Sequence, residues 1–357
     1  MPYTTPKYDR VFVNKAGDRL RRSVADDDDL GIINNWRAAH AFPLVTFRVT
    51  LASRAKAVDS KVIISQRLKR LSSIALKLNR FRNLRLWDIQ DIGGCRAVLS
   101  SERRARRLFE TYCKSGDTLK HVLLWHKNYV DDPKDSGYRG FHLIYGYRGK
   151  NPQYDDLRIE IQIRSKLQHA WATAVETVDI FTGQALKSSV GKPEWDDFFR
   201  LMASFIARRE RKACVPNTPQ SLTELRSRIA ERAASLNVVD RMRHFRQIAE
   251  QFDTEQIQRI TGKHPGYFLL QVRPTERLIR ITAFRDKDLT LAEQQYLDTE
   301  RDILTEKSDA DAVLVKVDKF INLRKAYPNY YGDTDFFLSI VRDAIGDIKN
   351  YPLSLPL

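Results

Sequence analysis

Six residues, Ile159-Glu-Ile-Gln-Ile-Arg164, constrain the fold of this chain more than any other stretch. Strict alternation of apolar and polar residues fits a strand and not a helix. Ile159, Ile161 and Ile163 then point into a core, while Glu160, Gln162 and Arg164 share the opposite face at spacings of about 7 Å. A carboxylate, an amide and a guanidinium in a row can hold a metal, orient a group and bind a phosphate. An amphipathic strand that only wets its polar face carries the same pattern, so the rest of the chain has to decide between the two.

Charge is placed unevenly. Residues 1–220 hold 40 Lys and Arg against 24 Asp and Glu, whereas residues 221–357 hold 21 of each, so the whole formal charge of +16 sits in the first part. A basic part attracts phosphates, on a nucleotide or along an RNA backbone, and a neutral companion suits regulation or docking. The three cysteines, Cys95, Cys113 and Cys214, are far apart and lack CxxC spacing. They give neither a disulfide framework nor a zinc site, and a reducing cytoplasmic compartment is expected. The first ten residues carry no apolar core, and no run is long enough to span a membrane, so no membrane partner is expected.

The sequence pattern predicts an α+β protein of two domains, with a mixed sheet flanked by helices followed by a smaller α+β regulatory domain. Residues 5–30 are polar, end in the acidic run Asp26 to Asp29, and read as an exposed lead-in, with a helix beginning at Leu30. Leu68, Leu71, Ala75 and Leu78 form an apolar helical stripe. Residues 96–99 read as a strand before a charged helix, 129–141 as a loop, and 167–180 as a helix. The linker is placed at 213–221, which contains two prolines and the cap-like Ser221, giving domains 1–215 and 216–357. Beyond it the pattern predicts helices to about residue 260, strands at 267–272, 278–284 and 312–317, a helix at 291–304, and a final helix from Asp335.

Several segments carry candidate chemistry. Lys69, Ser73 and Lys77 recur every four positions, so they are expected to share one helix face as a cationic ladder suited to a triphosphate, with Arg67 just ahead of them. A solvated basic face has the same spacing. Asp91-Ile-Gly-Gly-Cys-Arg96 puts a carboxylate before a glycine pair, and Asp91 with Glu160 would suffice for Mg²⁺ together with phosphate oxygens. The loop 133–142 offers Lys134 for phosphate, Tyr138 for stacking between Gly137 and Gly140, and His142 for a polar contact.

Taken in order, Arg-x-Lys-x-x-x-Ser-Ile-x-x-Lys, Asp-Ile-x-Gly-x-Arg, Pro-Lys-x-x-Gly-Tyr-Arg-x-x-His and Glu-x-Gln-x-Arg resemble the synthetase domain of the RelA/SpoT family over roughly residues 30–212. The resemblance implies a pyrophosphokinase that moves the β,γ-diphosphate of ATP onto a ribose 3′-hydroxyl. It implies that Arg67, Lys69, Ser73 and Lys77 hold ATP, with Arg67 and Arg104 on either side of adenine, and that Asp91 carries Mg²⁺. Glu160 would serve as base and second metal ligand, Tyr138 would stack on the acceptor base, and Lys134, His142, Gln162 and Arg164 would line that side. Gly140, Ser165 and Ser136 depart from the residues usual in the family, which bears on the acceptor. No His-Asp dipeptide occurs, so the family's hydrolase half is not expected.

In the C-terminal part, Lys325-Ala-Tyr-Pro-Asn-Tyr-Tyr-Gly reads as a turn that could pack its rings on a local core. The stretch also resembles the Tyr-x-x-Tyr motif of the CapRel branch, the fused toxin–antitoxin members of the family. That resemblance implies autoinhibition by Tyr327 and Tyr330 seated in the adenine site, release by a phage major capsid protein, and transfer to the 3′ end of tRNA. A monomer inhibited in cis is expected. Synthesis of (p)ppGpp from GDP or GTP, and a non-catalytic RNA-binding pseudo-synthetase, stand as the alternative readings.

Overall fold

Ile159, Ile161 and Ile163 are fully buried on a strand that spans Arg158–Ser165, the fifth of the chain (β5). In the computed structural model, residues 3–114, 121–182, 193–249, 266–273, 276, 278–305, 310–317 and 334–346 are described. Three helices come first, α1 (Arg10–Arg21), α2 (Asp27–Ala39) and α3 (Ala41–Val58). They lead to β1 (Ile63–Leu68), α4 (Leu71–Arg80), β2 (Gly93–Leu99), α5 (Glu102–Lys114), β3 (Val122–Asn128), β4 (Phe141–Gly146) and β5. Helices α6 (Lys166–Thr182), α7 (Pro193–Arg209), α8 (Leu222–Ser235) and α9 (Val238–Ala249) follow. The described chain closes with β6 (Gly266–Arg273), β7 (Leu278–Arg285), α10 (Leu289–Thr305), β8 (Asp311–Val317) and α11 (Asp335–Ile345).

These strands form one sheet in the order β3-β4-β5-β2-β1-β8-β6-β7. Among the described strands only β2 and β5 pair in parallel, and the long connection through α5 gives the crossover that a parallel pair needs. The fold is α+β, a mixed sheet flanked by helices. Helices α1 to α5 cover the face of β5 that carries the isoleucines, and their shared core runs from Val13 to Ile163. On α5, Ala105, Leu108, Phe109 and Tyr112 are buried at helical spacing, which leaves the arginines of that helix outward.

A second core is built from α6, α7 and α8 together with Phe337, Leu338, Ile340, Val341 and Ala344 of α11, so it draws on residues from both sides of position 215. The stretch 213–221 is itself packed, with Val215 fully buried, its N–H donating to Ser204 Oγ at 2.8 Å, and Ser221 capping α8. A third cluster joins Tyr267, Leu269, Phe284, Tyr296 and Ala312. Strand β8 pairs with β1 at Arg67 and Val315, which makes the C-terminal strands a continuation of the same sheet. No helix among the described residues is long and apolar enough to cross a membrane.

Two expectations are corrected. Residues 5–30 are not an exposed lead-in. Val13, Ala16, Gly17 and Leu20 of α1 are buried, and Asp26 and Asp29 form a capping box at the start of α2, so the acidic run that reads as a solvated tail is a helix N-terminus. Leu68 and Lys69 do not belong to the helix that carries Lys77. Residues 63–68 are β1 and Arg70 has extended backbone angles at the start of α4; strand pairing with β2 outweighs the helical stripe, which is real only from Leu71 onward. Short strands β3 and β4 flank the predicted loop and carried no clear signal.

If α1 belongs to the core, Leu20→Ala lowers stability by about 2–5 kcal/mol, read as a shifted urea midpoint. An unchanged midpoint would return residues 5–30 to the role of a lead-in.

Candidate functional site

Strand pairing alone brings the main candidates together. Register across β1, β2, β5 and β4 aligns Arg67, Gly94, Glu160 and Ile144 in one row, and Ser65, Arg96, Gln162 and His142 in the next but one. All eight line a cavity of about 340 Å³ on the face of the sheet opposite the isoleucines. Lys77 and Asp91 close one side, and Tyr129, Lys134 and Tyr138 of the 129–140 loop, with Trp171 and Glu176 of α6, close another. The preceding glycine pair serves packing more than the cavity: a Cβ on Gly93 would stand 2.6 Å from Ile159 Cδ1 on the core side, whereas one on Gly94 would clear Glu160 at 3.9 Å.

The β1–β2 ladder runs one step past β1, with Lys69 N–H donating to Ile92 O at 2.7 Å. This puts Lys69 beside Asp91, and its Nζ donates to Asp91 Oδ2 at 2.7 Å. From the last turn of α4, Lys77 Nζ donates to Asp91 Oδ1 at 2.8 Å. Burial pushes the Asp91 carboxyl up, but the two ammonium charges outweigh it and hold the group well below the usual carboxylate range. Burial also lowers Lys69, an effect that Asp91 only partly offsets. A carboxylate gripped at both oxygens by two cations is rigid and ionised.

Glu160 sits in a closed ring of hydrogen bonds. Tyr138 Oη and His142 Nε2 are 2.6 Å apart, and His142 Nδ1 is 2.7 Å from Glu160 Oε1. Gln162 Nε2 donates to Glu160 Oε2 at 2.7 Å, and Arg164 Nη2 donates both to Gln162 Oε1 at 2.9 Å and to Tyr138 Oη at 2.8 Å. Every bond has one donor and one acceptor when Tyr138 donates to Nε2 and Nδ1–H donates to Glu160, the proton placement assigned here from the network. Burial pushes Glu160 up, and the contacts with His142 and Gln162 bring it below its ordinary value, against the opposing charge of Asp91. The two carboxylates therefore feel each other across the cavity.

Tyr138 is not the open platform that its place between glycines suggests. Arg164 Cζ lies 5.0 Å from its ring centre and Lys134 Nζ 5.1 Å, while Tyr129, His142 and Trp171 meet it edge-on. Gly137 makes this possible: its φ is +89° and a Cβ there would stand 2.5 Å from Ala203 Cβ, so the loop turns against α7 at a residue that needs no side chain.

Of the residues named from the sequence, Arg67, Lys77, Asp91, Lys134, Tyr138, His142, Glu160, Gln162 and Arg164 line the cavity. Lys69 stands behind Asp91, in the turn before α4 and not on the helix, so the ladder of three is a pair of lysines converging on one carboxylate. Ser73 is half-buried on α4 and is not among the lining residues. Arg104, on α5, is also absent from the lining: it bonds Asp59 Oδ1 at 3.3 Å and Ser100 Oγ at 2.5 Å, so Arg67 and Arg104 do not face each other across this cavity. Tyr327 and Tyr330 lie outside the described residues. Sequence reasoning missed Tyr129, whose ring lies 4.7 Å from Lys134 Nζ, and Trp171 and Glu176, which sit on a helix without a motif. Trp125, which donates to Gln90 Oε1 at 2.7 Å, lies within β3, the strand that gave no signal.

Residues 66–179 match the family model described as the region found in RelA / SpoT proteins. A rice protein (Oryza sativa subsp. japonica) named probable GTP diphosphokinase RSH2, chloroplastic, is 32% identical over 109 residues, which are 30% of this chain and 14% of the rice protein. The chain thus spans about a seventh of that relative. Among solved structures, small alarmone synthetase 1 from Bacillus subtilis bound to its product pppGpp is 20% identical, with 48% of this chain and 89% of that chain covered at a TM-score of 0.41. Small alarmone synthetase 2 from the same organism is 21% identical over 49% and 91%, at a TM-score of 0.40. A GTP pyrophosphokinase family protein from Streptococcus pneumoniae is 20% identical over 48% and 86%, at a TM-score of 0.40.

Because Asp91 titrates lower in the folded chain than in the unfolded one, its contribution to stability is complete above the ordinary carboxylate value of 3.8 and fades as the pH falls below it. Asp91→Asn, which leaves two ammonium groups facing each other, is expected to cost about 3 kcal/mol at pH 7. The gap from the parent chain should close as the pH is taken below about 4. Urea midpoints of the two chains across that range check this, and a gap independent of pH would refute the ion-paired state.

Proposed function

We propose that this chain is an ATP-dependent pyrophosphokinase that transfers diphosphate to a ribose 3′-hydroxyl. The observation that carries the reading is the convergence of Asp91 and Glu160 in one cavity with Arg67, Lys77, Arg96, Lys134 and Arg164. With Glu176 the lining holds three acids against five bases, and Lys69 adds another cation behind Asp91. A net positive pocket with ionised carboxylates fixed inside it suits a polyphosphate, and a simple phosphate-binding surface has no use for two acids held in place inside it.

Mg²⁺ fits the donor set. Two hard carboxylate oxygens with substrate phosphates are a usual magnesium environment, and among the described residues no group of three or more His, Cys, Asp or Glu forms an all-protein cage of the kind that calcium or zinc would take. Asp91 and Glu160 would hold it, and when bound it would neutralise charge on the phosphate chain. Lys69 and Lys77 hold phosphate oxygens in exchange for Asp91. Glu160, kept ionised and aimed by His142 and Gln162, accepts the proton of the attacking 3′-hydroxyl. Arg164 and Lys134 hold Tyr138 as the wall against which the acceptor base lies.

For the acceptor, the charge excess of residues 1–220 favours the 3′ end of tRNA, since a basic surface can carry an RNA stem. The name of the rice relative, a GTP diphosphokinase, favours GDP or GTP as the second reading. The resemblance to the CapRel branch supports the control we propose: Tyr327 and Tyr330 block the adenine side near Arg67 in a monomer, and a phage major capsid protein binding the C-terminal part releases them.

Incubation with labelled ATP and either tRNA or GDP tests the acceptor, and Glu160→Gln is expected to lower turnover by at least about 10²-fold while ATP still binds. Label on guanosine nucleotide alone would remove the tRNA reading, and label on neither would leave a binding module. The double variant Tyr327→Ala, Tyr330→Ala should arrest growth on expression without any phage; a harmless double variant counts against the block.

A further inference from the structure

Glu300 lies on α10, in the C-terminal part of the chain, and reaches back to the turn that carries Lys69. Its Oε1 accepts the N–H of Leu71, the first residue of α4, at 2.7 Å. Its Oε2 accepts from Arg37 Nη1 at 2.6 Å. Arg37 spreads the rest of its donors over Tyr296 Oη at 2.8 Å, Asn34 Oδ1 at 3.0 Å and the carbonyl of Lys69 at 2.9 Å. Arg70, between Lys69 and Leu71, is ion-paired with Asp311 of β8. Arg37 and Glu300 are 2% and 5% exposed, so neither can turn to water if the other is lost.

Three consecutive residues, Lys69, Arg70 and Leu71, are therefore held at carbonyl, side chain and N–H by groups that belong to, or are locked by, the C-terminal part. The carboxylate of Glu300 also caps a helix that supplies no side-chain cap of its own, and a negative charge at a helix N-terminus steadies its first turn. Both ammonium groups on Asp91 start from this frame, Lys69 from the gripped turn and Lys77 from the helix it opens.

We propose that Glu300 is a positioning residue for the Lys69–Asp91–Lys77 centre: through Leu71 and Arg37, α10 sets the reach of the two ammonium groups toward Asp91 and toward an incoming phosphate chain. The second half of that statement rests on the polyphosphate reading of the cavity; the first half does not. The C-terminal part then acts on the site by a route separate from any tyrosine block, because the contact is made from behind α4 and not inside the cavity.

Lysine acetylation with acetic anhydride on the full chain, read residue by residue by mass spectrometry, tests the positioning without ATP. Glu300→Gln keeps an acceptor for Leu71 but loses the charge facing Arg37, and is expected to raise the rate at Lys69 by about tenfold, the factor that corresponds to loss of a charge-assisted hydrogen bond, with a smaller rise at Lys77. Exposed Lys56 and Lys150 should stay unchanged, and Glu300→Asp should restore part of the protection. Tyr296→Phe, which removes one hydroxyl from Arg37, keeps the test available if the Glu300 variants do not fold, and should shift the same two lysines by less. A rise at all lysines together, or none at Lys69, overturns the proposal. ATP titrated into the parent chain is read separately: no binding there removes the polyphosphate reading and leaves the acetylation result standing, whereas ATP bound equally by the parent chain and Glu300→Gln, with Lys69 released, removes the link to phosphate alone.

Discussion

Two carboxylates that face one cavity, Glu160 buried and Asp91 half-buried, are the constraint around which this structure is arranged. Each loses water, and each lies within the field of the other, so both would take up protons unless the surroundings prevented it. The chain compensates in two different ways. Asp91 is held by charge, with an ammonium group on each oxygen. Glu160 is held by a ring of hydrogen bonds that passes through His142, Tyr138, Arg164 and Gln162. The first kind of compensation can be traded for another anion, since the lysines need only change partner. The second fixes direction, because each member of the ring has its donors and acceptors assigned.

That difference follows from where the two acids sit in the sheet. Glu160 is inside β5, in register with Gly94 on one side and Ile144 on the other, and its neighbours are set by backbone pairing. Asp91 lies just before β2, at the end of the ladder, where side chains from a turn and a helix can approach. A rigid acid in mid-strand beside an acid with exchangeable partners at the strand end is a division of labour that suits holding one group still while another charged group arrives.

The alternation at 159–164 was legible because period two leaves one choice of face, and the isoleucines confirm that choice by their burial. Asp91 was legible as an acid beside glycines, although the reason for Gly93, close contact with Ile159, is a packing fact that no local pattern states. The start of α4 was misread because Lys69, Ser73 and Lys77 match a helical period that the chain does not follow before residue 71; pairing with β2 is a long-range event and leaves no local mark. The buried role of α1 was hidden by its charge, since four buried positions in twelve are enough to dock a helix whose other faces are polar. Strands 266–273, 278–285 and 311–317 were visible from β-branched and aromatic content, but that they extend the first sheet through β8 and β1 could not be read from them.

Continuity of the sheet ties the C-terminal strands mechanically to the cavity. A separate lobe joined by a flexible segment could act only by covering or uncovering the cavity. Here β8 pairs with β1 at Arg67, a residue that lines the cavity, and α10 caps α4 from behind. A force applied to the C-terminal strands therefore reaches Arg67 through the sheet and Lys77 through the helix, and both residues line the cavity. Because strand pairing and a buried ion pair both yield in discrete steps and not gradually, displacement of β8 or α10 would change the cationic wall of the site as a unit.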